Sequence, residues 1–151
     1  YPGSKKISYA YYLRALNYFE QIKDVERDQS MTNKSKQAFY EVVNKYPNSE
    51  FANDALNKID IINDRLASKE IEIARYYQFN HQWISAINRY NKILEEYNTS
   101  VYTEETLHRL VEIYFSLGLY DEAKKYASTL GFNYPDSDWY IKSYELVKDL
   151  S

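Results

Sequence analysis

Cysteine is absent from the 151 residues, which excludes a disulfide framework, a thiolate-bound metal and a thiol nucleophile. Glycine and proline are scarce, with three of each, too few for the many tight turns of an all-β chain. Long apolar runs are missing too: none approaches the roughly 18 to 20 residues needed to cross a bilayer. No basic stretch followed by an apolar one marks a signal peptide. The chain opens on a turn without Met and reads as part of a longer protein. Concentrated positive charge is also lacking, with 19 Lys and Arg against 22 Asp and Glu and a net charge of −3. Phosphate binding needs clustered Lys and Arg, so nucleic acid is disfavoured as a partner.

What the chain does have is tyrosine, 18 of them, over a polar background with a mean hydropathy of −0.69. Tyrosine combines large buriable area with a polar tip, which suits helix-packing seams and protein interfaces alike. Three stretches punctuate the sequence in the same way: Tyr46-Pro47-Asn48-Ser49, Tyr97-Asn98-Thr99-Ser100 and Tyr134-Pro135-Asp136-Ser137. A fourth copy, Tyr1-Pro2-Gly3-Ser4, begins the chain. A repeat of this kind implies stacked units, none of which buries its apolar face alone.

Between these stretches the apolar spacing is helical. Ser4 is placed to cap a first helix from Lys5 to about Ile22, with Ala10, Leu13, Leu16 and Ile22 on its apolar positions. The polar segment from Lys23 to Thr32 reads as a solvated loop. Thr32 or Asn33 then caps a second helix running to about Tyr46. Pro47 stops that helix and Ser49 caps the next. From Glu50 to about Phe79 no Gly, Pro or turn cluster occurs, so one long helix is expected there. After a break at Asn80-His81-Gln82, helices follow to Tyr97, from Thr103 to Leu117-Gly118, and from about Tyr120 to Asn133. A last one starts after Ser137 or Asp138. The fold class is therefore all-α: a tetratricopeptide-like α-solenoid of antiparallel helix pairs, about seven helices with one long helix near 50–79.

The tetratricopeptide register places a small residue, an aromatic three later, an Ala at twelve and a turn at twenty-four. One unit has Ala74, Tyr77, Trp83, Ala86, Tyr90 and Asn98, and the next has Val111, Tyr114, Tyr120, Ala123, Ala127 and Pro135. An earlier, stretched unit keeps Ser35, Phe39 and Pro47, with Ala15 and Tyr18 before the loop. The expected organisation is a single repeat domain over 1–151, with repeats near 4–47, 66–98 and 103–135 and a C-terminal helix over 137–151. Small residues let the paired helices approach, and aromatics fill the wedges between units.

Candidate chemistry is thin. Glu104 and His108 share a helical face but have no evident third ligand, so they read as a solvated pair; His81 lies in a turn. No P-loop, Gly-rich fingerprint or nucleophile elbow is present. No catalytic, cofactor or metal residue is assigned. Arg65 has no acidic neighbour at helical spacing, so a carboxylate from another helix of this chain is its favoured partner, with another protein as the alternative. Trp83 and Tyr120 read as inter-helix wedges. Trp139 and Tyr140 either cap the core or form an exposed aromatic anchor.

The string Tyr46-Pro47-Asn48-Ser49, Asp64-Arg65-Leu66-Ala67, Glu70, Tyr76-Tyr77, Trp83 and Asn88-Arg89, together with Tyr134-Pro135-Asp136-Ser137, resembles the BamD family. These are tetratricopeptide lipoproteins of the bacterial outer-membrane protein assembly machinery. The resemblance covers essentially the whole chain and corresponds to roughly the last three of the family's five repeats. It implies a non-catalytic scaffold in the periplasm at the outer membrane, docking on the POTRA domains of a BamA-like partner. Other assembly lipoproteins and unfolded outer-membrane proteins are further partners it implies. Family members are held to the membrane by a lipidated N-terminal Cys, which this sequence does not contain. Asn98 departs from the Pro usual at its turn.

By the same resemblance Asn88 and Arg89 belong to a protein-binding surface, with Arg89 meeting acidic groups of the partner. Helical geometry independently puts Arg89 at the flank of the Ala86-Tyr90-Ile93 stripe, between core and solvent. A fork pairing with a carboxylate is reasonable there, either on a partner or on a neighbouring helix of this chain. Trp139 and Tyr140 are the aromatic members of the expected surface. The rival reading is a general tetratricopeptide adaptor that holds an extended peptide in a groove of Asn, Lys and Tyr side chains.

Overall fold

The computed structural model describes residues 2–25 and 27–150. Among them are seven helices: α1 (Pro2–Glu20), α2 (Gln29–Lys45), α3 (Glu50–Phe79), α4 (Trp83–Glu96), α5 (Thr103–Ser116), α6 (Tyr120–Asn133) and α7 (Asp138–Val147). No strand occurs among the described residues. The all-α class and the single long helix over 50–79 are as the sequence indicates. Residues group into two compact units, 1–66 and 67–151, and α3 runs through the boundary.

In the first unit α1 packs on α2, and the core joins Ala15, Ala38, Phe39, Val42, Ala55, Ile59 and Ile62. The register residues Ala15 and Ser35 are fully buried. The Ser35 hydroxyl lies 3.5 Å from the Ala15 carbonyl oxygen, a close backbone approach that only small side chains permit. Aromatics fill the remaining space: Tyr12 stacks on Phe51, and Phe19 meets Phe39 edge-on.

Several expectations for this unit are corrected. The described part of the opening stretch, residues 2–4, is helical, and α1 begins at Pro2; Ser4 is inside the helix and does not cap it. Proline suits that first position because its missing N–H would have no helical partner there. Leu13 is exposed, as is Ala10; α1 presents Ser8, Ala15 and its aromatics to the core instead. The loop before α2 is shorter than expected and partly buried, with Ile22 and Val25 inside. Asp28 organises it: one carboxylate oxygen accepts from the N–H groups of Lys23 and Asp24. Those two backbone bonds hold the Asp28 carboxyl below its usual range. Asp28 is also the residue before α2. Neither Thr32 nor Asn33 is the cap; Thr32 is buried one turn inside and donates to the Asp28 carbonyl.

The second unit has α5 at its centre, in contact with α4, α6 and α7. Every small register position is closed: Ala74, Ala86, Val111 and Ala123 are fully buried and Ala127 nearly so. Tyr90 is the largest fully buried side chain of the protein's described residues. Helix α7 is capped by Ser137, whose hydroxyl accepts from the Trp139 N–H; Asp138 is its first residue and not the cap. Gly131 lets α7 approach α6: a Cβ there would clash with the Tyr140 ring.

The three repeated turns close identically. Tyr46, Tyr97 and Tyr134 each donate to the carbonyl four residues back and accept from the Ser three residues on, at 2.8–3.1 Å. All six bonds are main-chain, so Asn98 serves where the other two turns have Pro. Ser49 sits before α3, but its hydroxyl donates to the Tyr46 carbonyl and closes the turn rather than capping forward.

The other hairpin end repeats too. Gln82 donates to Tyr77 O and Leu119 to Tyr114 O, both at 2.9 Å, the pattern that ends a helix through a left-handed residue. In the later turn that residue is Gly118, φ 74°, and in the earlier one it is His81, φ 59°. A side chain in this conformation costs about 1–2 kcal/mol. His81→Gly should therefore raise the free energy of urea unfolding by about 1 kcal/mol, while His81→Val should lower it. A loss with Gly would mean that packing of the imidazole on Trp83, 5.1 Å away, outweighs the backbone strain.

Candidate functional site

Two groups of charged side chains occur in the second unit, one at the surface and one inside. The surface group lies between α3 and α4. Glu70 falls four residues before the buried Ala74, so its carboxylate is drawn to the packed side of α3, and its side chain is 13 % exposed. Buried carboxylates need partners, and α4 supplies two. Arg89 Nη1 donates to Oε2 and Lys92 Nζ to Oε1, each at 3.0 Å. Arg89 and Lys92 keep 39 % and 42 % of their side chains exposed. Asn88, beside them in sequence, is exposed. Of the alternatives open for Arg89, the chain itself supplies the glutamate partner, and a substantial part of the guanidinium stays accessible. Burial pushes the nearby Tyr97 phenol up to about 12, with Glu96 and Glu70 adding to the shift.

The interior group is built on α5. Glu105, 6 % exposed, is held by both oxygens to Arg75 of α3; Nε to Oε2 is 2.8 Å, and Nη2 is paired with Oε1. Arg109 joins Glu105 at 3.1 Å and Glu112 at 3.0 Å. Gln78 links this chain to α4, donating to Glu112 and accepting from the Tyr90 hydroxyl at 2.7 Å. Burial raises the Glu105 carboxyl, but hydrogen bonds from Arg75 and Arg109 outweigh it and leave it lowered. For Glu112 burial again raises, and bonds from His108 and Arg109 bring it down to about 2.

His108 is not the solvated partner of Glu104 that the spacing indicates. It is 4 % exposed, with Nδ1 2.8 Å from the Ser143 hydroxyl of α7 and Nε2 3.4 Å from Glu112. An ionised carboxylate only accepts, so in the neutral ring Nε2 carries the proton and Nδ1 accepts from Ser143. Ser143, His108 and Glu112 thus share the composition of a hydrolytic relay. Ser143 is fully buried, so no substrate carbonyl reaches it; the chain of bonds fastens α7 to α5. No cluster of three or more His, Asp or Glu able to hold a metal occurs among the described residues.

Trp139 lies 5.4 Å from the His108 ring and 5.5 Å from the Arg109 guanidinium, with Lys142 on it at 4.4 Å. Tyr140 rests over Gly131. Both are half-buried and cover α5 and α6, the capping alternative. Arg65 finds an aromatic rather than the expected carboxylate: its guanidinium sits over the Phe19 ring at 5.2 Å. Tyr120, expected as an inter-helix wedge, meets Phe115 of α5 and keeps 46 % of its surface exposed.

Sequence reasoning passed over Lys92 and gave Glu70 no role. Lys92 follows Arg89 by three residues, a same-face spacing, and Glu70 is a carboxylate on a buried stripe; together these were the available signal. Ser143 carried none, being 35 residues from His108.

Glu105→Gln should cost about 3 kcal/mol of unfolding free energy, the lower end for breaking a buried pair because Arg75 and Arg109 keep some water. A control, Glu104→Gln, should stay within about 0.5 kcal/mol. Because Glu105 and Glu112 are lowered in the folded state, their stabilisation is complete above their ordinary value of 4.5. It is lost as pH falls from there, for Glu112 towards about 2. Thermal unfolding followed across that range should show a steep acid arm that Glu112→Gln flattens.

The sequence matches the model of the YfiO family, described as outer membrane lipoprotein, over residues 1–130. It is 49 % identical over 149 residues to a protein of Rickettsia prowazekii named outer membrane protein assembly factor BamD, covering 99 % of this chain and 59 % of that protein. A Caulobacter vibrioides protein of the same name is 47 % identical, covering 99 % of this chain and 49 % of its own length. One from Neisseria meningitidis is 31 % identical over 155 residues, covering 96 % and 58 %. The chain spans about half to three-fifths of the length of these relatives. It belongs to the YfiO family of outer membrane lipoproteins, the family of the BamD assembly factors.

Proposed function

We propose that this chain is a non-catalytic scaffold of the outer-membrane β-barrel assembly machinery, acting at the periplasmic face of the outer membrane. The observation that carries this reading is near-50 % identity, over 99 % of the chain, to relatives named for outer membrane protein assembly. The docking surface is the exposed side of α4, with Arg89 and Asn88 meeting acidic and polar groups on the POTRA domains of a BamA-like partner. Trp139 and Tyr140 add apolar area at the α7 end of the same unit. Other assembly lipoproteins and unfolded barrel proteins are further partners of the whole protein. The charge supports the surface assignment: two cations share one carboxylate, which leaves a positive excess facing solvent.

A general peptide adaptor is the second reading, favoured by one feature. In the first unit a groove of about 510 Å³ is lined by Lys45, Tyr46, Asn48 and Phe51, among others, the side-chain types that suit an extended peptide. Saturable binding of short unrelated peptides there, without POTRA binding, would favour the adaptor.

Calorimetric titration with the POTRA domains should give a Kd of about tens of micromolar or tighter. Arg89→Glu should weaken it at least about tenfold by placing like charge at the contact. No binding would remove the docking role; unchanged affinity for Arg89→Glu would remove only the residue assignment.

A further inference from the structure

We infer that Glu70 is the positioning residue of this docking surface and that Lys92 is a second cationic contact, so that the site receives a carboxylate-bearing surface across Arg89 and Lys92 together. The inference rests on the docking role proposed above. Both cations are bound to the same carboxylate, one to each oxygen, at 3.0 Å. Their charged ends are therefore held near one another, on two long side chains that would otherwise sample many rotamers. Each has donors to spare. An ammonium carries three and a guanidinium five, and the bonds to Glu70 use one of each.

Glu70 itself is largely enclosed, while the cations remain two-fifths exposed. The carboxylate thus sits behind the cations, and their unused donors are what an incoming group meets. Two positive charges against one negative leave the trio with a net charge of +1. One carboxylate from a partner neutralises it while bonding to both cations, and charge-assisted bonds of this kind are the strong ones. A phosphate or a bare apolar surface would not match this single excess charge as closely.

Positioning and simple charge attraction make opposite forecasts. Glu70→Gln raises the local charge from +1 to +2, so attraction alone predicts tighter binding of an acidic partner. If Glu70 instead holds the two cations in place, binding weakens despite the added charge. The test is titration of the POTRA domains into the 151-residue chain and its Glu70→Gln and Lys92→Ala variants, at several salt concentrations. Thermal unfolding of each variant checks the fold. The expected result is about five- to tenfold weaker binding for each variant, with a shallower salt dependence for Lys92→Ala.

Unchanged or tighter binding by folded Glu70→Gln overturns the positioning role. Unchanged affinity and salt dependence for Lys92→Ala overturns the second contact. Lys92 is exposed enough that its truncation leaves the fold intact, so the inference stays testable if Glu70→Gln unfolds. Binding by the wild type that ignores both variants sinks this inference and spares the docking role; absence of wild-type binding sinks both.

Discussion

A buried carboxylate governs the second unit. Glu105 lies on a helix enclosed by its neighbours, where an ionised group without partners would be expensive. Arg75 from α3 and Arg109 from its own helix meet that demand. Because Arg109 also holds Glu112, and Glu112 reaches Gln78 and His108, one polar chain runs from α3 through α5 to the Tyr90 hydroxyl on α4 and Ser143 on α7. Apolar packing brings these helices together, since that force has no direction. The polar chain fixes which turn faces which, because each of its bonds requires particular atoms.

The same residue types serve a different end at the surface. Across α3 and α5, Arg75 and Arg109 balance Glu105 and Glu112; the group is neutral, with Glu105 enclosed and Arg75 and Glu112 about a third exposed. Around Glu70 the balance is broken in favour of the cations, and the excess lies at the solvent boundary. Balanced charge is a fastening; the unbalanced charge around Glu70 is what the proposed docking would use. This contrast directs the functional reading to α4 rather than to α5, although α5 carries the denser chemistry.

Much of the architecture is legible from residue spacing. The turn quartets mark three hairpin ends, and the twelve-residue steps from Ala74 and Val111 find fully buried small positions. Local signals failed where the partner is remote. His108 has acids four residues away on both sides, and what selects Glu112 is Ser143 on another helix. Arg65 has no local acid, and its aromatic partner lies 46 positions earlier in the chain. The α1 stripe was misassigned because tyrosine counts as neither plainly apolar nor polar, so Tyr11, Tyr12 and Tyr18 masked the face on which Ala15 lies. Within the candidate site Arg89 was visible through resemblance, whereas Glu70 and Lys92 gain meaning only when α3 and α4 are placed side by side.

The three tyrosine turns share one pair of main-chain bonds, to which side-chain bonds such as that of the Ser49 hydroxyl are added. Such joints are modular: a further hairpin spliced in at Tyr97 to Ser100 would find the same acceptors and donors at both of its ends. Growth or shortening of the array by whole hairpins therefore leaves the main-chain closure of each seam unaltered, and lineages can differ in repeat number while preserving it.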